Sequence, residues 1–431
     1  MRRVMGIYFR EIEEAGNLPS PDTGGLIFVS NHVNALVDPI LVLTTAPCLI
    51  SPVAKSTLWK IPGLRWLLDA ANSVPIVRRR DDPSKAAGAN EEVFDRIAAW
   101  LQGGGNILVF PEGTSHNEPH LLEVKSGAAR MLARAWSRGA RDVGFQSVAL
   151  EFDARDSFRS RCLLLYGPVR LVAEFGLEGE PLVAAMTDRL REDLSELLVE
   201  GATWDERLLI ARVAEMVTHD LGERSLERWN TIGRQVEAAR KALAGVDETT
   251  VDKIRSAVER YYTLLGQQGM EDEQLASGAD AWSTMGALPP NPGAPGRGRR
   301  GAALVAVLPL ALAGMVLYWL PYQLPRLVAR LAKGSGDEVS TLKLGAGLVI
   351  FPVWASILVV CSFMWLPAPL AAAATLAVLT APFAALGWLD RTPRLRQKLR
   401  FSSRRAALAE LRTARADAIA LIESARVRLG M

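Results

Sequence analysis

The sequence predicts an α/β domain, a helical region after it, and transmembrane helices toward the C-terminal end. Three observations predict this order. Short apolar runs alternate with helical patterns through residues 26–170, as in a sheet with helices packed on it. Residues 182–278 are charged and helix-rich, with apolar periodicity over 190–198, 208–217 and 251–265. Residues 302–389 are nearly all apolar. A chain of 431 residues accommodates two or three such units.

The first fifteen residues carry Val4, Ile7, Tyr8, Phe9 and Ile12 at rough helical spacing. They read as a short amphipathic helix, either on a membrane face with Tyr8 and Phe9 in the interface or packed on the domain core. No long apolar run follows Met1-Arg2-Arg3, so no signal peptide is expected. Residues 26–29 read as a buried strand and 49–54 as a second, ending at Lys55-Ser56. Residues 57–70 form a helical or membrane-facing apolar surface, and 74–77 a short strand. An amphipathic helix over 84–102 is stopped by Gly103-Gly104-Gly105. A strand over 106–110, a helix opening at Lys125-Ser126-Gly127, and strands over 147–152 and 162–166 complete the α/β pattern.

Residues 286–301 read as a flexible basic linker. Within the membrane region, 302–390, residues 344–388 are uncharged for about twice the length of one span. Pro367 and Pro369 sit near the middle, so this part reads as a tight helical hairpin. The hydrophobic segment 302–325 is interrupted by Pro309 and Pro321 and reads as partial or interfacial. Trp319, Trp365 and Trp388 fall at interface positions, and arginines crowd both flanks. With both flanks cytoplasmic the number of full crossings is even, two by the hairpin. Residues 391–431 close the chain as a basic amphipathic helix on the membrane surface. The expectation is an integral membrane protein with its catalytic domain on the cytoplasmic face.

Composition narrows the chemistry. Cys48, Cys162 and Cys361 have no paired spacing, which excludes a disulfide framework and a zinc site and fits a reducing compartment. His116 and His120 lie four apart, but the proline and asparagine around them argue against a metal-binding helix. No P-loop is present and no Gly-x-Gly-x-x-Gly follows a strand, which argues against nucleotide hydrolysis and dinucleotide redox. The absence of a Gly-x-Ser-x-Gly elbow argues against a serine nucleophile.

Three strand ends carry the candidate site. Past the first strand stand His32 and, six residues on, Asp38. A histidine takes a proton near neutral pH, and a carboxylate on its other nitrogen fixes the tautomer. Positions six apart on a regular helix point about 240° apart, so the two meet only across a loop or irregular turn. Pro39 disfavours helical backbone at Asp38, consistent with that. Arg78, Arg79 and Arg80 follow another strand and read as a phosphate clamp or as a solvated charge run. After a third strand, Pro111 and Gly113 flank Glu112, with Thr114 and Ser115 next. That bent loop has amides and hydroxyls suited to a phosphate or an oxyanion. A base beside anion sites points to activation of a hydroxyl on a phosphorylated substrate.

These residues resemble, in order, the blocks of the glycerol-phosphate acyltransferase superfamily of phospholipid synthesis, over residues 3–170. Asn31-His32 with Asp38 is similar to the first block, Val74-Pro75-Ile76-Val77-Arg78 to the second and Phe110-Pro111-Glu112-Gly113-Thr114-Ser115 to the third. Ser147-Val148-Ala149-Leu150 resembles the fourth without its usual proline. Five residues separate His32 from Asp38 where most of the superfamily has four. That form is similar to a branch related to the fungal glycerol-3-phosphate/dihydroxyacetone-phosphate acyltransferases. Lys55-Ser56-Thr57-Leu58 and Phe158-Arg159-Ser160-Arg161 also look like that branch.

The resemblance implies an α/β acyltransferase domain, a mixed sheet flanked by helices, at 1–180, with 181–285 as a helical accessory region. It implies His32 as general base oriented by Asp38, and attack of the acceptor oxygen on an acyl thioester. Arg78 would bind the acceptor phosphate, helped by Arg79, Arg80 and Lys55. Glu112 and Gly113 would hold the acceptor, with Thr114 and Ser115 nearby. It implies no cofactor and no metal, only acyl-CoA or acyl carrier protein as co-substrate. The partners implied are membrane lipids, the acyl donor and a phosphorylated glycerol-type acceptor, not nucleic acid. The acyl chain would enter from the bilayer side along 57–70. Glycerol-3-phosphate or dihydroxyacetone phosphate is the expected acceptor, and lysophosphatidate or another lysophospholipid the alternative, because the blocks are shared. A non-catalytic lipid-binding protein would predict loss of His32, Asp38 or Glu112, and all three are present.

Overall fold

A computed structural model of the chain describes residues 1–61, 63–77, 83–243, 247–276, 297–332, 336–392 and 405–429. Packing divides it into two compact units. The first holds Met1–Ala214, Ser225–Ala238 and Gly336–Glu338; the second holds the rest.

The first unit is built on seven strands: β1 Glu11–Gly16, β2 Leu26–Ser30, β3 Ile50–Lys55, β4 Val74–Ile76, β5 Asn106–Val109, β6 Gly144–Phe152 and β7 Arg161–Leu171. Their order is β1-β7-β6-β2-β5-β3-β4. Strands β6, β2, β5, β3 and β4 pair in parallel, while β7 is antiparallel to β6 and parallel to β1. The sheet is therefore mixed and flanked by helices, as the sequence predicts. Every residue of β2 is buried, which explains its unbroken apolar run: a parallel strand covered on both faces shows no alternation. Ile27, Val29, Ile107 and Val109 face helices α4 (Pro83–Gln102), α5 (Gly127–Ser137) and α6 (Gly179–Leu197) through Ile97, Leu132 and Met186.

Three expectations are corrected in this unit. The expected helix over residues 1–15 is shorter: α1 spans Arg2–Tyr8, and Ile12 belongs to the edge strand β1. Tyr8 and Phe9 are buried in the core rather than facing a bilayer. Arg159, at φ +64°, holds the end of this helix. Its guanidinium donates to the carbonyls of Gly6, Ile7 and Phe9 at 3.0, 2.9 and 3.2 Å, capping the end of α1. Tyr8 meets the ring of Phe158 edge-on, 5.8 Å away. Replacing Arg159 by alanine is expected to cost about 1–3 kcal/mol, read as a lower thermal midpoint of the full chain in detergent. An unchanged midpoint would mean these bonds do not hold α1.

The second correction concerns β7, expected over 162–166, which runs on to Leu171. Pro168 lies inside a continuous strand because it falls at the register irregularity between Gln146 and Val148 of β6 and beyond the end of β1, where no ladder bond needs its N–H. Third, the expected boundary at 180/181 is not a packing boundary. Leu182, Val183, Met186, Leu190 and Leu194 of α6 belong to the same core as Ile27. Much of α7 (Trp204–Asp220) and α8 (Leu226–Leu243) also falls in this unit.

The second unit contains α9 Glu248–Gln268, α10 Arg297–Leu317, α11 Trp319–Leu331, α12 Val339–Trp365, α13 Ala368–Arg391 and α14 Arg405–Arg428. Among the described residues two helices, α12 and α13, are long and apolar enough to cross a bilayer, or three if the bent pair α10–α11 is one span. The 43° bend of that pair has an identifiable cause. Pro321 cannot donate to the carbonyl of Leu317. The indole N–H of Trp354 on α12 does so instead, at 2.9 Å. Close approach of α10 to α13 requires Gly314, where a Cβ would come within 2.1 Å of the Ala381 carbonyl. Of the expected linker, 286–296 lie outside the described residues, and 297–301 instead open α10, since no proline follows Pro295 until Pro309. The helix expected at the C-terminal end is α14, and it packs along α9. Arg415 of α14 is buried, with bonds of 2.7 Å to Asp272 and 2.6 Å to Asp220. Burial would raise the Asp272 carboxyl, but hydrogen bonds from His219 and Arg415 hold it at about 2.

Candidate active site

The parallel strands deliver their C-terminal ends to one edge of the sheet, where open α/β sheets bind ligands. Strand β2 brings Asn31-His32, β5 brings Phe110-Pro111-Glu112, and β3 brings Lys55. Lys55 is in register with Ile76 of β4, two residues before Arg78. Arg78, Arg79 and Arg80 lie outside the described residues.

His32 is held from several sides. Its ring stacks on Phe110 with centroids 4.0 Å apart and 19° between planes. Nδ1 lies 3.0 Å from Oδ2 of Asp38. The same oxygen accepts the N–H groups of Val33 and Asn34 at 2.8 and 2.7 Å. Two obligate donors keep Asp38 an acceptor, so Nδ1 of His32 carries the proton and Nε2 presents the lone pair. Asp38 is fully buried in the first turn of α2 (Val37–Thr45). The pair therefore forms across an irregular loop, with Ala35 at φ +32°. Pro39 does not push Asp38 out of the helix as expected, because first-turn positions make no i−4 bond and tolerate proline. Asn31 extends the β2–β6 pairing: its amide donates to the Leu150 carbonyl at 3.1 Å and accepts the Leu150 N–H at 2.8 Å.

Glu112 departs most from expectation. It is 2% exposed, and both its oxygens are engaged. Oε1 accepts the N–H of His32 at 2.7 Å, and Oε2 accepts the N–H of Leu122 at 2.9 Å. Nε2 of His116 also contacts Oε2. A carboxylate so held is a strut between two loops, which ties the bent loop after β5 to the backbone of His32. Gly113 closes a turn from the Phe110 carbonyl at 3.0 Å and sits at φ +70°, a conformation that favours glycine. Thr114 and Ser115 are half-buried, and the Thr114 hydroxyl turns onto the Ser115 carbonyl at 3.2 Å.

Two residues escaped the sequence reading. The residues around His116 and His120 speak only against a metal pair, and in a loop the spacing of four between Glu112 and His116 implies no contact. Lys125 was seen only as a helix start. Its N–H donates to the Pro111 carbonyl at 3.0 Å, and its side chain lies over Gly113, where a Cβ would come within 2.8 Å of Nζ. Among the described residues it forms no salt bridge. Beside Asn31, Val33 and His116 opens a cavity of about 640 Å³, walled farther out by Glu151, Arg155 and Trp204. Among the described residues no group of three or more His, Cys, Asp or Glu side chains is placed to hold a metal ion.

Residues 10–150 match the family model described as Acyltransferase. Over 202 residues the chain is 27% identical to glycerol-3-phosphate O-acyltransferase 2 of Saccharomyces cerevisiae, covering 43% of this chain and 26% of that protein. It is 30% identical over 131 residues to the chloroplastic 1-acyl-sn-glycerol-3-phosphate acyltransferase of Arabidopsis thaliana, covering 30% and 34%. With the lyso-ornithine lipid O-acyltransferase of Pseudomonas aeruginosa it shares 29% identity over 142 residues, 33% of this chain and 48% of that one. The matched stretch thus spans between about a quarter and about a half of these relatives. Among solved structures, the 1-acyl-sn-glycerophosphate acyltransferase of Thermotoga maritima matches 44% of this chain and 73% of its own, at 19% identity and a TM-score of 0.33.

Proposed function

We propose, from the premise that residues 10–150 are an acyltransferase domain of the glycerol-phosphate acyltransferase superfamily, that this chain moves a fatty acyl group from an acyl thioester to glycerol-3-phosphate or dihydroxyacetone phosphate. The observation that carries the reading is the His32–Asp38 pair, with Nδ1 tied to a buried carboxylate and Nε2 left as the base. Nε2 takes the proton of the acceptor hydroxyl as its oxygen attacks the thioester carbonyl. The tetrahedral intermediate collapses, the C–S bond breaks, and the imidazolium returns its proton to the departing thiolate. Asp38 stabilises the imidazolium between the two steps. The donor is acyl-CoA or acyl carrier protein.

Lys55, Arg78 and Lys125 are the cations proposed for the acceptor phosphate, with Arg79 and Arg80 beside Arg78. Lys125→Ala is expected to raise the acceptor KM about 10- to 100-fold, the size of one lost charge-assisted hydrogen bond, with kcat little changed. An unchanged KM would remove Lys125 from the phosphate site. The hairpin α12–α13 would hold the chain in the bilayer, and the arginines on both flanks favour a cytoplasmic catalytic domain.

The match to the Arabidopsis enzyme supports a second reading, a lysophosphatidate or other lysophospholipid acceptor. Radiolabelled acyl transfer from palmitoyl-CoA or palmitoyl-acyl carrier protein separates the two. Membranes carrying the protein are offered glycerol-3-phosphate, dihydroxyacetone phosphate or lysophosphatidate, with His32→Ala as control. A His32-dependent product from either of the first two supports the first reading; product from lysophosphatidate alone supports the second. No His32-dependent product from any acceptor overturns both.

A further inference from the structure

His116 is a buried histidine that the acyl-transfer steps do not use. Its Nδ1 accepts the N–H of Glu118 at 3.1 Å, so the ring proton sits on Nε2. That nitrogen faces Oε2 of Glu112, and Oε1 of the same carboxylate holds the N–H of His32. The main-chain N–H of His116 donates to the carbonyl of His32 at 3.1 Å. Both backbone groups of His32 are therefore gripped by one segment, 112–116, and the grip depends on how the Glu112 carboxylate is turned.

We propose that His116 is a positioning residue for acyl transfer, locking the Glu112 carboxylate in the orientation that fixes the backbone of His32. The proposal rests on the reading of His32 as the base. A buried carboxylate keeps its orientation when each oxygen has a donor and the space around it is filled. Each oxygen has one main-chain donor, the N–H of His32 on Oε1 and that of Leu122 on Oε2, and the ring of His116 packs against Oε2 and fills the space into which the carboxylate would turn. Without the imidazole that space opens and the carboxylate can turn away from His32. The ring of His32 then moves relative to the acceptor hydroxyl, and proton transfer is sensitive to displacements well under 1 Å. In the proposed reading the acceptor phosphate is held by other side chains, Lys55, Arg78 and Lys125, so the defect falls on kcat.

The test compares His116→Gln, His116→Asn and His116→Ala in the full-length protein. Glutamine fills the place of Nε2 beside Oε2; asparagine is too short to reach Glu112. Wild type and His32→Ala are assayed first, and a wild type without His32-dependent transfer removes the base reading and this proposal with it. Given that activity, alanine and asparagine are expected to lower kcat about 10- to 100-fold with acceptor and thioester KM within about threefold of wild type. Glutamine is expected to recover most of kcat. Thermal midpoints are measured for all three, and kcat is compared among variants that fold. If alanine does not fold, the asparagine–glutamine pair decides. The proposal is overturned by wild-type kcat in the asparagine variant, by a glutamine variant as slow as asparagine, or by a loss confined to KM.

Discussion

His32→Ala is expected to lower acyl transfer about 10²- to 10⁴-fold while the protein remains in the membrane fraction and keeps its fold. The size follows from what is lost. Without Nε2 the acceptor hydroxyl must give its proton to water as its oxygen attacks, and the departing thiolate has no positioned acid. Stability is expected to change little. The ring stacks on one face of Phe110 but fills no core position, and the backbone bonds to Glu112 and His116 need no side chain at residue 32. The measurement is radiolabelled transfer at saturating donor and acceptor, alongside membrane fractionation. A variant retaining more than about a tenth of wild-type kcat would show that His32 is not the base, since general-base catalysis is worth far more.

The sheet was legible because parallel strands buried on both faces leave unbroken apolar runs, and 26–29 and 106–110 are such runs. Edge strand β1 was not. Its six residues, Glu11–Gly16, break alternation at Glu13-Glu14 and hold only Ile12 and Ala15 as apolar side chains, and Ile12 falls at helical spacing from Tyr8 and Phe9. What makes it a strand is β7, some 150 residues away, and no local pattern encodes that partner. The pairing of His32 with Asp38 was legible as chemistry, but its geometry was misread at Pro39. Proline disfavours helical backbone at the residue before it, whereas the first helical turn is where proline fits.

Glu112 shows the limit more sharply. The residue type and the bent loop pointed to ligand binding, and a sequence carries no sign that two main-chain N–H groups would occupy both oxygens. His116 was missed for the same reason. Its partner is a carboxylate four positions back in a loop, where spacing implies no contact. In Phe158-Arg159-Ser160-Arg161, likewise, the pattern looked like one of a substrate branch, yet Arg159 spends its guanidinium on the carbonyls that end α1.

Asp38→Asn should produce the second large loss, about 10³- to 10⁴-fold in kcat, the scale seen when an amide replaces the carboxylate behind a catalytic histidine. Three donors converge on Oδ2 of Asp38: Nδ1–H of His32 and the N–H groups of Val33 and Asn34. An asparagine has one oxygen and one NH2. If the oxygen takes the Oδ2 place, the three bonds survive but the negative charge does not, and the imidazolium formed during transfer goes unstabilised. If the NH2 takes that place, it faces two main-chain donors that cannot reverse, and His32 must move its proton to Nε2, where it can no longer act as a base. Either outcome lowers kcat, and the acceptor KM is expected to stay near wild type because Asp38 is buried behind the ring and touches no substrate. Asp38→Glu tests the same bond by geometry, since it restores charge but displaces the carboxylate by about one methylene, and it should remain slow. A normal kcat in Asp38→Asn would mean that the tautomer of His32 is not set by this carboxylate. Activity would then rest on proximity and the anion-binding loop alone, a far smaller rate effect than the pair is assigned.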